Sequence, residues 1–183
     1  MTGLPEKIVA VHVGLVGAGL AHAFGGALAL AWCTGRARGT IDIDVNVFVG
    51  SERAQAVLAA LPATVARPAS ALDRLARDGQ VRVWWERTPV DVFLDSTDYH
   101  RQVAERVRWE TFMNRSLPFL SCHDLAVFKA FFNRARDWAD LEEMLAAGTI
   151  EPAAVAAVLI RYLGADDERV QKLMALEPPS AAP

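Results

Sequence analysis

The chain has 183 residues, 52% of them hydrophobic, with a formal net charge of −3. That is enough apolar material for one compact domain, or for a core with a helical appendage, and it excludes a protein coated in basic surface for bulk nucleic-acid binding. Cys33 and Cys122 are too few and too far apart in sequence for a disulfide framework, and no Cys-x-x-Cys occurs, so a reducing cytoplasm is the expected compartment.

No Asp, Glu, Lys or Arg falls between Ile8 and Trp32. The run is long enough in principle for a membrane span or an export signal. His12, His22, five glycines and a preceding segment whose only lysine is Lys7, beside Glu6, argue against both, and no membrane association is expected. Residues 6–20 read as a buried helix weakened by Gly14, Gly17 and Gly19. His22–Phe24 reads as a short strand closing on Gly25-Gly26, and Ala27–Cys33 as an apolar helix stopped by Gly35. Residues 40–48 alternate polar and apolar, the period of a strand with one buried face. A helix over 52–60, a shorter one ending near Gly79, and strands Val81–Trp85 and Val90–Leu94 follow.

After Asp95 the pattern turns helical. Residues 98–106 read as a helix, 107–120 are ambiguous, and Ser121 caps a helix through Phe132. Asp137–Ala147, Pro152–Leu163 and Asp167–Leu176 continue as helices, and 178–183 as a disordered tail. The expected class is α/β (α+β): a mixed-sheet core over 1–95 flanked by helices, then a helical part over 96–177.

Asp42 and Asp44 are two apart on the predicted strand, so both carboxylates leave one face while Ile41, Ile43 and Val45 leave the other. Paired carboxylates repel unless a cation neutralises them, and oxygen ligands suit Mg²⁺ or Mn²⁺. Two solvated aspartates on an edge strand would look the same. Gly25-Gly26 sits at a strand-to-helix turn, where bare backbone and free amides admit a phosphate. Fifteen residues separate Gly26 from Asp42, enough for one helix and a returning loop.

The combination Gly25-Gly26, helix, Arg36-x-Arg38-Gly39-Thr40-x-Asp42-x-Asp44 resembles the signature of the polymerase-beta-like nucleotidyltransferase superfamily. The resemblance implies a Gly-Gly turn at the nucleotide phosphates, metal on Asp42 and Asp44, and a third carboxylate on a later strand. Asp91 stands in that place, with Asp95 and Asp98 as competitors. Such a set clamps the attacking and leaving oxygens of an in-line phosphoryl displacement.

Phe24–Ala29, Arg38–Asp44, Leu125-x-x-x-Lys129 and Arg134-x-Arg136-Asp137-x-x-Asp140 together resemble the AbiEii/MenT-like nucleotidyltransferase toxins. There a helical lysine contacts the triphosphate and a downstream aspartate lies at the site, which puts Lys129, Asp137 and Asp140 among the candidates. Lys129 is the only lysine between residues 8 and 171, in an apolar helix, so it either snorkels to water or meets an anion. Asp137 and Asp140 could equally be ordinary charges at a helix start. Thr40 is expected on the face of Asp42 and Asp44. The resemblance implies transfer of NMP from an NTP to an acceptor hydroxyl, with tRNA as acceptor and a cognate antitoxin as partner. Arg36, Arg38, Arg134 and Arg136 are the candidates for acceptor phosphates. The rivals are a small-molecule nucleotidyltransferase of the antibiotic-resistance type and a nucleotide-binding regulatory protein without turnover. His22 and His123 read as structural, and Trp84-Trp85 as a surface residue beside a core residue.

Overall fold

The computed structural model describes residues 2–177, so the tail expected at 178–183 lies outside the described residues. Helix α1 (Leu4–Gly17) starts on Pro5, whose missing N–H costs nothing in a first turn. It buries Ile8, Val11 and Leu15, one stripe at helical spacing. Gly14, which weakens the helix locally, serves a close approach: a Cβ there would collide with the carbonyl of Ala60 at the end of helix α3 (Ala54–Ala60). Lys7 is buried in α1 and donates to the Trp85 carbonyl at 3.0 Å, Thr88 Oγ1 at 3.1 Å and Glu86 at 2.9 Å. A lysine this deep stands because every proton on its ammonium has an acceptor.

The strands are β1 (His22–Phe24), β2 (Ile43–Val47), β3 (Gln80–Trp85), β4 (Thr88–Leu94), β5 (Arg108–Phe112) and β6 (Arg115–Phe119). They form one mixed sheet in the order β3-β4-β2-β1-β6-β5. The pairs β2–β4 and β1–β6 are parallel, and β1–β2, β3–β4 and β5–β6 antiparallel. On β3, Val81, Val83 and Trp85 are buried while Gln80, Arg82 and Trp84 are exposed, so Trp84-Trp85 is the expected surface–core pair. Behind this end of the sheet α4 (Ala69–Asp78) packs on α3 and β3.

His22 is structural. Its Nδ1 faces the Leu20 carbonyl at 2.9 Å and its Nε2 faces His12 Nδ1 at 3.0 Å. A carbonyl only accepts, so His22 Nδ1–H donates to it and His22 Nε2 accepts from His12. Burial pushes the His22 imidazole down to about 4.

The chain divides into two compact units. The first holds residues up to Leu28 and Gly39–Leu120, and with them the whole sheet; the second holds Ala29–Arg38 and the chain from Ser121 onward. The sheet therefore runs past residue 95, where the sequence pattern turns helical. Beyond α5 (Asp98–Ala104), residues 107–120 are the hairpin β5–β6, turning on Met113 and Asn114, both at positive φ (49° and 59°). Successive positive φ values make the primed turn that suits strand twist, but with no glycine there the sequence does not announce it. In the second unit α6 (Cys122–Phe132) packs against α7 (Ala135–Ala146), α8 (Pro152–Leu163) and α9 (Glu168–Met174). Ser121 caps α6 by accepting from the Asp124 amide at 3.1 Å. Among the described residues no helix is long and apolar enough to cross a membrane.

Candidate active site

Charged residues of the first unit form a row across three strands. Asp44 on β2 lies opposite Asp91 on β4, and Asp91 lies opposite Arg82 on β3. Parallel neighbours in register put their side chains on one face, so Asp44 and Asp91 emerge together. Asp95, beyond the end of β4, has no such register position, and Asp98 opens α5. Asp42 lies just before β2, its side chain 35% exposed. Ile41 also precedes the strand and is 68% exposed, so the expected buried face begins at Ile43. Thr40 is not on the strand either: its Oγ1 accepts from the Asp42 amide at 3.2 Å, a hydroxyl turn that steers the chain into β2.

The Gly25-Gly26 turn sits against this row. Gly25 donates to the Asp44 carbonyl at 2.9 Å. Gly26 opens α2 (Gly26–Thr34) with φ of 52°, and a Cβ at that position would occupy the space of the Asp44 carboxylate. Glycine is required twice over, for the backbone angle and for the carboxylate packed against it.

Arg82 is the residue that reading the sequence misses. Its Nε and Nη2 donate to the two oxygens of Asp91 at 2.8 and 2.7 Å, and Nη2 stands 4.0 Å from Asp42 Oδ2. The hydrogen bonds to Asp91, with the neighbouring carboxylate charges, raise the guanidinium pKa further. Antiparallel β3–β4 pairing across a short hairpin is the signal that could have found it, since Arg82 and Asp91 are symmetric about the turn.

The oxygen-only donors Asp42, Asp44 and Asp91, with the cradle at Gly26, fit a hard divalent cation such as Mg²⁺ or Mn²⁺. Among the described residues no three such groups converge as they would around an ion. Both oxygens of Asp91 are turned into the fork of Arg82.

The second unit carries a separate cluster. Lys129 is buried on α6, with Nζ 2.6 Å from Asp140 Oδ2 and 3.5 Å from Asp137 Oδ1, both on α7. Arg38 Nη1 donates to Asp140 Oδ1 at 2.6 Å. Asp140 is almost fully buried, and burial alone would raise its pKa; hydrogen bonds from Arg38 and Lys129 outweigh this and hold it below the usual carboxylate value. Of the two sequence alternatives for Lys129, the anion prevails over water, and the anion here is internal. Asp137 accepts from the Arg134 amide at 3.3 Å and from Arg134 Nε at 2.6 Å, the ordinary helix-start arrangement. Arg36 and Arg136 are exposed.

One expectation is overturned. Cys33, near the end of α2, and Cys122, the first residue of α6, are joined in a disulfide with Cα atoms 5.5 Å apart. A separation of 89 residues in sequence conceals helix ends that meet in space.

Residues 14–182 match the family described as the nucleotidyl transferase AbiEii toxin of a type IV toxin–antitoxin system. No curated protein matches the sequence. Among solved structures the chain is similar to the antibiotic-resistance factor ANT(2'')-Ia, at 14% identity and a TM-score of 0.53, over 93% of this chain and 89% of that one. It is also similar to an antigenic nucleotidyltransferase-like protein from Paracoccidioides brasiliensis, at 11% identity and a TM-score of 0.52, over 92% and 85% of the two chains.

Proposed function

Because the chain belongs to the nucleotidyl transferase AbiEii toxin family, we propose that it transfers NMP from an NTP to a hydroxyl of tRNA with the help of Mg²⁺ or Mn²⁺. The acceptor oxygen attacks the α-phosphorus, the bond to the β-phosphate breaks, and pyrophosphate leaves with the electron pair. Asp91 takes the proton of the attacking hydroxyl. A divalent ion held by Asp42, Asp44 and Asp91 would neutralise phosphate charge and align the attacking and leaving oxygens. The amides at the start of α2, from Gly26 onward, take phosphate oxygens, while that of Gly25 is spent on the Asp44 carbonyl. Lys129 and Arg38 are the cationic candidates for the triphosphate, and their hold on Asp140 fixes both in place. Arg36 and Arg136, with exposed guanidinium groups, meet the acceptor's phosphates. A cognate antitoxin is the expected partner.

The carboxylate row against a glycine turn that only glycine can occupy carries this reading. Incubation of the full chain with each α-labelled NTP, Mg²⁺ and total tRNA is expected to label the tRNA. Unlabelled tRNA beside a nucleotidylated small hydroxylated compound would transfer the assignment to the small-molecule class. Acting on tRNA places the protein in the cytoplasm, where thiols are kept reduced. Cys33 and Cys122 are then expected as free thiols in cells and bonded after purification in air. Differential alkylation reads this directly, and a bond present in freshly quenched cells contradicts the cytoplasmic placement.

A further inference from the structure

Arg82 stands on an edge strand, with β4 on one side and only a single bridge, Ala66 to Trp84, on the other. The Ala66 amide donates to the Trp84 carbonyl at 2.7 Å, so the backbone beside Arg82 is pinned while its side chain, 51% exposed, has room to swing into solvent. Its fork takes both oxygens of Asp91, and it is the nearest cation to Asp42 as well. A chelating ion and a guanidinium fork compete for the same carboxylate lone pairs, and like charges disfavour holding both together. The Asp91 side chain is 15% exposed and that of Arg82 51%, so the pair opens to solvent on the arginine's side.

We propose that Arg82 is an exchangeable counter-ion of the carboxylate row: it holds Asp91 and shields Asp42 while no cation is bound, releases Asp91 to an incoming divalent cation, and then offers its guanidinium to the phosphates of the bound nucleotide. The proposal rests on the metal-binding reading of Asp42, Asp44 and Asp91. Arg82 acts as a positioning residue in the first state and a phosphate contact in the second. The exchange explains why the three carboxylates do not converge here. It also keeps a row of like charges from standing uncompensated between turnovers.

Calorimetric titration of Mn²⁺ alone into wild type, Arg82→Lys, Arg82→Gln and Asp42→Asn separates the cases, with circular dichroism confirming the fold of each. Exchange predicts that Arg82→Gln binds Mn²⁺ about tenfold more tightly and Arg82→Lys about threefold, because lysine keeps the charge and loses the fork. Inorganic triphosphate titrated with Mg²⁺ present should bind Arg82→Gln about tenfold more weakly. Arg82→Lys indistinguishable from wild type towards Mn²⁺, with Asp42→Asn unable to bind it, would overturn the exchange while leaving the metal-binding reading intact. Unchanged Mn²⁺ binding in Asp42→Asn would remove that reading and the exchange with it.

Discussion

Two charged clusters in this molecule obey opposite rules. In the first unit, Arg82 pairs with Asp91 and stands 4.0 Å from Asp42 on a partly exposed sheet face, with Asp44 in register beside Asp91. In the second unit, Lys129, Arg38 and Arg134 hold the buried carboxylates of Asp137 and Asp140. Water screens the first, whereas burial permits the second because each buried carboxylate accepts from a cationic donor. A partly exposed carboxylate row is open to a ligand. A buried ion cluster holds the fold first and can serve chemistry only through the positions it fixes.

The largest expected effect is on the carboxylate row. Asp42→Asn or Asp44→Asn should remove transfer altogether, measured as labelled NMP incorporated, while the melting temperature stays level or rises as like-charge repulsion is relieved. Either variant retaining activity with Mg²⁺ or Mn²⁺ would end the contrast. The buried cluster should respond in the reverse order: Lys129→Met leaves Asp140 buried with only Arg38, and stability should drop by about 3 kcal/mol in urea titration. A Lys129→Met protein as stable as wild type but inactive would make Lys129 a substrate contact rather than a structural cation.

Acid should separate the two units by pH. His22 is near 6.5 when unfolded and about 4 when folded, so its contribution is present above pH 6.5 and is lost as pH falls to about 4. That shift corresponds to about 3 kcal/mol. The depressed Asp140 adds stability present above its ordinary value near 3.8 and lost only as pH falls below it. Stability against pH should therefore fall in two steps, the first abolished in His22→Asn. A single step below pH 4 would mean that His22 titrates normally in the fold.

The smallest effect concerns RNA. Arg134 is engaged by Asp137, so Arg36 and Arg136 are the candidates for phosphate contacts. Arg136→Ala should flatten the log–log salt dependence of tRNA binding by about one unit and leave stability within about 0.5 kcal/mol. An unchanged slope would return Arg136 to an ordinary solvated helix face.

Much of the fold was legible because its signals are local. β1 at His22–Phe24, α6 behind its Ser121 cap and α8 from Pro152 to Leu163 follow from side-chain period, capping and proline placement, which act within a turn or two of chain. The Gly25-Gly26 turn and Asp44 on its strand were equally plain in the sequence, since a backbone angle and a strand period need no distant partner, but the strand begins at Ile43 and leaves Asp42 just before it. The hairpin β5–β6 was not, because its turn uses Met113 and Asn114 where glycine would have signalled it.

The sequence by itself marked the Gly25-Gly26 turn and the nearby aspartates as candidates for chemistry, while Arg82 escaped it. The tertiary structure alone decided what each one touches: Arg82 on Asp91, Lys129 and Arg38 on Asp140, Cys33 on Cys122. Those partners are separated by 9, 11, 102 and 89 residues. Even the shorter separations become contacts only through strand register or the packing of one helix on another. The charge carried by a side chain is a local property; whether that charge is spent inside the fold or left for a ligand depends on neighbours that folding brings together.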